Sequence, residues 1–219
     1  MPFRTFLALG AFSFPARLTE DGAFTPREPV RHGMTEFETT ETDWRDELLA
    51  TRDEKDEFFG NHPQSPIPPG EREDFDGLSY FDPNADYRVT ATVEAHDVPE
   101  PVELETTAGP SQRYLRTMTL HFEAGGEGAS LAVYQQEGQD SLFVPFRDKT
   151  TGQQSYENGR YLELHPDREL TDGEEVVVDF NLAYSPFCSY SETFSCPLPP
   201  EENWLDVLIP AGEKTWDDH

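Results

Sequence analysis

Cys188 and Cys196 are the two cysteines of a 219-residue chain, and both fall in one stretch, YSPFCSYSETFSCPLPPEEN (184–203). Eight positions apart, they are open to three chemistries. A disulfide closing so small a loop is geometrically feasible, although a reducing cytoplasm disfavours it. A metal such as zinc needs two more N or S ligands, and C-x7-C matches no familiar finger. Buried or loosely paired thiols are the third possibility. The stretch contains four of the nineteen prolines and no Lys or Arg. It lacks both helical and strand periodicity, which predicts a long ordered loop.

A second stretch, PFRDKTTGQQSYENGRY (145–161), carries Arg147, Lys149 and Arg160 against Asp148 and Glu157, a local net charge of +1. A carboxylate or phosphate could be held by Arg147, Lys149 and Arg160. Asp148, Asp179, Tyr156 and Tyr184 would then supply polar contacts, with Asn181 a further ligand-binding candidate. Asp179, Asn181 and Tyr184 could project on one face of a strand, with Asp179 as a base and Tyr184 as an acid. The alternative for these three is a hydrogen-bonded structural group. Asp148 is a further carboxylate candidate for such a site. The chain contains no G-x-S-x-G elbow, H-E-x-x-H or P-loop, and GGEG is too short for a dinucleotide fingerprint. The six His are scattered, and His121 and His165 lie in predicted strands. No cofactor is specified.

The background sharpens both stretches. The chain has 44 acidic and 16 basic residues, a formal net charge of -28, with 12% aromatics and 16 Phe. Three residues are Lys (Lys55, Lys149, Lys214) and thirteen are Arg. Acidic, Lys-poor and aromatic together describe a cytoplasmic protein of a high-salt cell. There the Debye length of about 3 Å at molar salt mutes repulsion among surface carboxylates. No basic face for nucleic acid can be assembled, and no apolar run reaches the ~18–20 residues of a membrane span. Against so acidic a background, windows without Asp or Glu mark burial or functional constraint. Residues 177–200 hold only Asp179 and Glu192. The expectation is that 145–161 and 179–203 meet at one end of a β structure. They would either enclose a small anionic ligand or simply close the core.

The front of the chain differs. Residues 1–33 carry four Arg against Glu20, Asp21 and Glu28, whereas 34–219 carry 12 basic and 41 acidic residues. A start at Met34, a disordered extension and a signal peptide built on Arg4 and FLALGAFSF are the readings. On each of them 1–33 stays apart from a single β-rich domain over 34–219.

The elements that would position these residues follow from periodicity. Asp43 is expected to cap a helix running to Phe59 and stopped by Gly60, with Trp44, Leu48, Leu49, Phe58 and Phe59 on its apolar face. Thr51, Arg52 and Lys55 interrupt that face. HPQSPIPPGERE (62–73) predicts an extended connection. Alternation then predicts about nine strands: GLSYF (77–81), 87–95, 102–104, 114–122, 129–136, LFVPF (142–146), RYLELH (160–165), EEVVVDFNLAY (174–184) and WLDVLIP (204–210). Asp172-Gly173 and AGGEG supply hairpin turns. The fold class is therefore mainly β, an antiparallel sandwich or barrel with one N-terminal α-helix.

FDGLSYFDPNADYRVTA (75–91), LFVPFRDKTTGQQSYENGRYLEL (142–164) and VDFNLAYSPFCSYSETFSCPLPPEENWLDVLIPAGEK (178–214) resemble the domain of unknown function 1684 family, in its haloarchaeal form. The resemblance runs from about residue 44 to 214. It implies no catalytic residues, but it implies that the acid-poor segments are signature segments. Exported or lipoprotein-like relatives keep the disulfide open. The leading expectation is a protein, either a binder or an enzyme, that holds a small anionic molecule between the two loops. The alternative is a non-catalytic structural or interaction module whose Cys-containing loop closes the β structure. Oligomeric state is not set by the sequence.

Overall fold

A computed structural model describes residues 16–18, 24–26, 40–139 and 141–216. Ala16–Leu18 (β1) and Phe24–Pro26 (β2) pair antiparallel as a separate two-stranded sheet. The rest of the first 39 residues, where the three readings of the start fall, lies outside the described residues.

Helix α1 spans Glu41–Asn61. Its N-cap is Thr40 and not Asp43. The Asp43 amide donates to Thr40 Oγ1 at 3.2 Å, and the Thr40 amide donates back to the Asp43 carboxylate at 3.4 Å. Asp43 is thus the reciprocal half of a capping box. Nor does Gly60 stop the helix. It continues to Asn61, and His62 turns extended because Pro63 follows it and disfavours the helical region there. Trp44, Leu48, Phe58 and Phe59 are buried as expected, while Leu49 is exposed.

The main sheet has six antiparallel strands in the order β7-β6-β5-β4-β3-β8. They are Arg88–Leu104 (β3), Gln112–Ala124 (β4), Glu127–Gln135 (β5), Leu142–Phe146 (β6), Arg160–Leu164 (β7) and Glu175–Asp179 (β8). The expectation of nine strands is corrected in four places. Segments 87–95 and 102–104 are one strand, bent by an irregularity between Ala95 and Glu100. GLSYF contributes only a bridge from Tyr80 to Glu213, and WLDVLIP only one from Trp204 to Arg147. EEVVVDFNLAY leaves the sheet at Asp179, where 180–182 winds into a 3-10 turn.

WLDVLIP is nonetheless extended. Leu205, Val207, Ile209 and Ala211 are buried while Trp204, Asp206 and Leu208 are exposed, which is period two. Its backbone runs beside 147–149: the Leu205 amide donates to the Arg147 carbonyl at 2.8 Å and the Lys149 amide to the Val207 carbonyl at 2.9 Å. The inner face of the sheet packs Val89, Ala91, Val93, Leu120, Leu131, Val133, Val144 and Val178 against these residues. The two edges of the sheet approach each other. Tyr161 of β7 and Tyr184, beyond β8, exchange backbone hydrogen bonds of 2.8 and 3.0 Å. The sheet is therefore a curled half-barrel in which the 3-10 turn and the C-terminal segment complete the enclosure.

Past each irregularity in β3 and β4 the apolar side changes face. Leu104 and Tyr114 join Ala132 and Tyr134 in a second cluster with Val102 and Phe143. The Cys-bearing loop is tied down beside it: the Leu198 amide donates to the Glu105 carbonyl at 2.7 Å, and the Tyr161 hydroxyl donates to the Pro197 carbonyl.

Candidate functional site

The two acid-poor stretches do meet, but the charged residues expected to form one cationic spot do not gather into one. Arg160, at the start of β7, is fully buried. Its Nη1 donates to the Ala211 and Glu213 carbonyls, and its Nη2 to Asp148 Oδ1 at 3.1 Å and the Ile209 carbonyl at 2.9 Å. Phe81 and Phe146 present ring faces to the guanidinium. Asp148 completes the lock: Oδ2 accepts from the Ile209 amide at 2.8 Å, and Oδ1 from the Thr150 hydroxyl at 2.9 Å. Burial lowers the Arg160 pKa, and Asp148 opposes that shift. This pair fastens residues 209–213 to the sheet.

Arg147 and Lys149 point elsewhere. The Arg147 guanidinium lies over the Trp204 ring, 4.9 Å from its centre. Lys149 pairs with Asp206 at 2.8 Å on the surface.

Asp179 and Tyr184 are also separated in role. Asp179 ends β8 and caps the 3-10 turn, accepting from the Asn181 amide at 2.9 Å and the Asn181 Nδ2 at 2.8 Å. Its other oxygen accepts from Trp44 Nε1 of α1 at 2.7 Å. Asn181 is buried and exchanges hydrogen bonds with the Asn84 backbone at 2.9 and 2.8 Å. The Tyr184 hydroxyl donates to Glu163, and burial pushes its pKa far up. Burial raises the Glu163 carboxyl as well. The expected acid and base thus serve different partners. His121 and His165 pair with Glu94 and Glu163.

A buried centre lies outside the predicted site. Glu213 is 2% exposed and lies between α1 and the loop. Its carboxylate accepts from Lys55 Nζ, from the Ser185 amide at 2.8 Å and from the Tyr190 hydroxyl at 2.7 Å. Lys55 also sits over the Tyr184 ring. Arg52, buried, donates to the Phe81 carbonyl at 2.9 Å and the Asn181 carbonyl at 3.4 Å. The two cations that interrupt the apolar face of α1 are therefore its tethers. Their signal was present, as two cations spaced i, i+3 on the face that Leu48 and Phe59 bury, but their acceptors lie far away in the chain.

The loops touch at the sulfurs. Cys188 lies in the 3-10 turn Phe187–Ser189, whose Phe187 ring meets Phe59 of α1 edge-on. The Tyr156 hydroxyl donates to Cys188 Sγ at 3.7 Å and accepts from Asn158 Nδ2 at 3.1 Å. The Cys188 amide donates to Cys196 Sγ at 3.3 Å. Both cysteines are unbridged, Cys188 half-buried and Cys196 buried. Among the described residues no group of three or more His, Cys, Asp or Glu converges in a way that could hold a metal. A broad open depression lies on the outer side of β3 and β4, around Thr90, Thr92, His121 and Glu123, and none of the candidate residues lines it. Among the described residues no helix is long and apolar enough to cross a membrane.

The profile of a family described as protein of unknown function (DUF1684) matches residues 73–214. The solution NMR structure of an uncharacterised protein of Haloarcula marismortui is similar at 62% identity, with a TM-score of 0.65. The match covers 80% of this chain and 95% of that one. None of the curated proteins matches.

Proposed function

The chain belongs to the DUF1684 family, whose function is unknown, and from its geometry we propose a non-catalytic β module in which 145–161 and 179–203 close the half-barrel. One observation carries this: Arg160, the natural anchor for an anion, is fully buried and already serves Asp148 and three backbone carbonyls. Taking a ligand would require unmaking a buried ion pair, which strands a charge at about 3–5 kcal/mol. Asp148, Asp179, Asn181 and Tyr184 are similarly committed to the fold.

The second reading, a small anion held between the loops, keeps one supporting observation. Tyr156 and Cys188 do bring the loops into contact, with Arg147 and Lys149 nearby in sequence on the same loop. Titrating 15N-labelled protein with orthophosphate and with succinate in molar KCl separates the two. Closure alone gives no saturable shifts in 145–161 or 179–203. Saturable shifts at Tyr156, Asn158 and Arg147 would overturn it in favour of a binding site.

A further inference from the structure

Going beyond closure, we infer that Cys188 and Cys196 are a reversible dithiol–disulfide pair, with Cys188 as the attacking sulfur and Cys196 as the resolving one, reacting with small disulfides. The argument starts from placement. Each cysteine is held by a different part of the fold, so their approach is built and not incidental. Cys188 is set by the turn packed on α1 and by Tyr156. Cys196 is set by the chain that follows β3: its amide donates to Thr107 Oγ1 at 3.1 Å and its carbonyl accepts from the Thr107 amide at 2.9 Å. The Cys188 amide then contacts Cys196 Sγ directly.

Exposure and acidity divide the roles. Cys188 is half-buried and Cys196 is 8% exposed, so a small reagent reaches Cys188 first. The Cys196 thiol hydrogen-bonds Cys188 and, with Tyr156 and Thr107, lowers its pKa to about 7. The same pairing and burial push Cys196 upward. The titratable groups facing Cys188 are Cys196, Tyr156 and Tyr161. A thiolate with a pKa near ambient pH is suited to attack a disulfide.

The chemistry balances. The Cys188 thiolate attacks one sulfur of R–S–S–R, forming a mixed disulfide and releasing RS⁻. Cys196 loses its proton to solvent and attacks Cys188 Sγ, expelling the second RS⁻. Two protein thiols are oxidised and one small disulfide is reduced to two thiols. An excess of the small thiol reverses both steps.

The test uses the full chain in molar KCl with graded oxidised and reduced glutathione, read by intact mass after an acid quench. Wild type is expected to lose two hydrogens with no glutathionyl group retained, and to regain them in dithiothreitol. Cys196→Ser should stop as a glutathionyl adduct on Cys188, and Cys188→Ser should react at least about tenfold more slowly. In unmodified protein, iodoacetamide should label Cys188 first, with a rate half-maximal near pH 7. This labelling needs no variant to fold. A stable glutathionyl adduct on wild type, a Cys188→Ser variant as fast as Cys196→Ser, or equal labelling of both thiols would each overturn the pair. None of these results bears on whether the loops bind an anion.

Discussion

Single side chains carry the closure, and Asn203 shows how. It is fully buried where β5 and β6 have parted, since the two strands pair only at Tyr134 and Phe143. Its Oδ1 accepts from the Ala132 amide at 2.7 Å, and its Nδ2 donates to the Ala132 carbonyl at 2.9 Å and the Pro145 carbonyl at 2.7 Å. One amide thus replaces a missing rung of the sheet. Asn203→Ala leaves three buried backbone groups unpaired, each worth about 1–3 kcal/mol. Urea denaturation should show a loss of at least about 3 kcal/mol. Cys188 gives the pH prediction at this scale. Its folded pKa of about 7 lies below the usual thiol value. Its contribution to stability is therefore lost as pH falls from about 8.5 through about 7, while the upward shift of its partner Cys196 opposes it once pH rises past the usual thiol range. Thermal melts should show this dependence in reduced wild type and its absence in Cys188→Ser. Such partnerships are the least legible part of the sequence. Asn203 to Ala132 spans 71 positions, and nothing in PPEENWL distinguishes a rung from a surface amide.

At the scale of elements, the approach of the C-terminal segment to the 3-10 turn after β8 is the tightest fit. Gly212 has φ +79°, and a Cβ there would lie 2.4 Å from the Ala183 carbonyl oxygen and 2.8 Å from that of Phe180. These are backbone atoms and cannot swing aside. Gly212→Ala should therefore displace 209–214, seen as faster hydrogen exchange of the Glu213 amide, which donates to the Ala183 carbonyl at 2.9 Å. Gly70→Ala, with nothing within 4 Å and no positive φ, is the control and should leave exchange unchanged. The cysteine loop adds a second element-scale prediction. Oxidation closes a ring of about nine residues and should stabilise the protein by about 2–3 kcal/mol. For a chain of this size the melting temperature should then rise by about 4–12 °C over the reduced form. Elements were largely legible. Alternation located β3 to β8, and even WLDVLIP was rightly extended. Sheet membership was not legible, because period two reports which side is buried and not which backbone lies alongside. Asp43 misled because an Asp suits the N-cap itself and also the N3 position that answers a Thr N-cap, and here it fills the second role opposite Thr40.

For the whole molecule, a formal net charge of -28 and a half-barrel closed by a few buried ties impose opposite demands. Lowering KCl from molar to about 0.1 M lengthens screening from about 3 to 10 Å and lets surface carboxylates repel. The melting temperature should fall, whereas the buried pair Arg160–Asp148 is shielded from salt by its burial. The mainly β class and the meeting of the two loops were legible in the sequence. What they enclose was not, since Arg160 reads identically as an anion anchor and as an internal lock. One measurement separates those roles most directly: urea denaturation of Arg160→Met in molar KCl, without ligand, beside Lys149→Met. A lock predicts a loss of about 3–5 kcal/mol for Arg160→Met, because Asp148 is left buried and unpaired, and no measurable change for Lys149→Met. An Arg160→Met protein as stable as wild type would contradict closure and return Arg160 to the role of a binding residue.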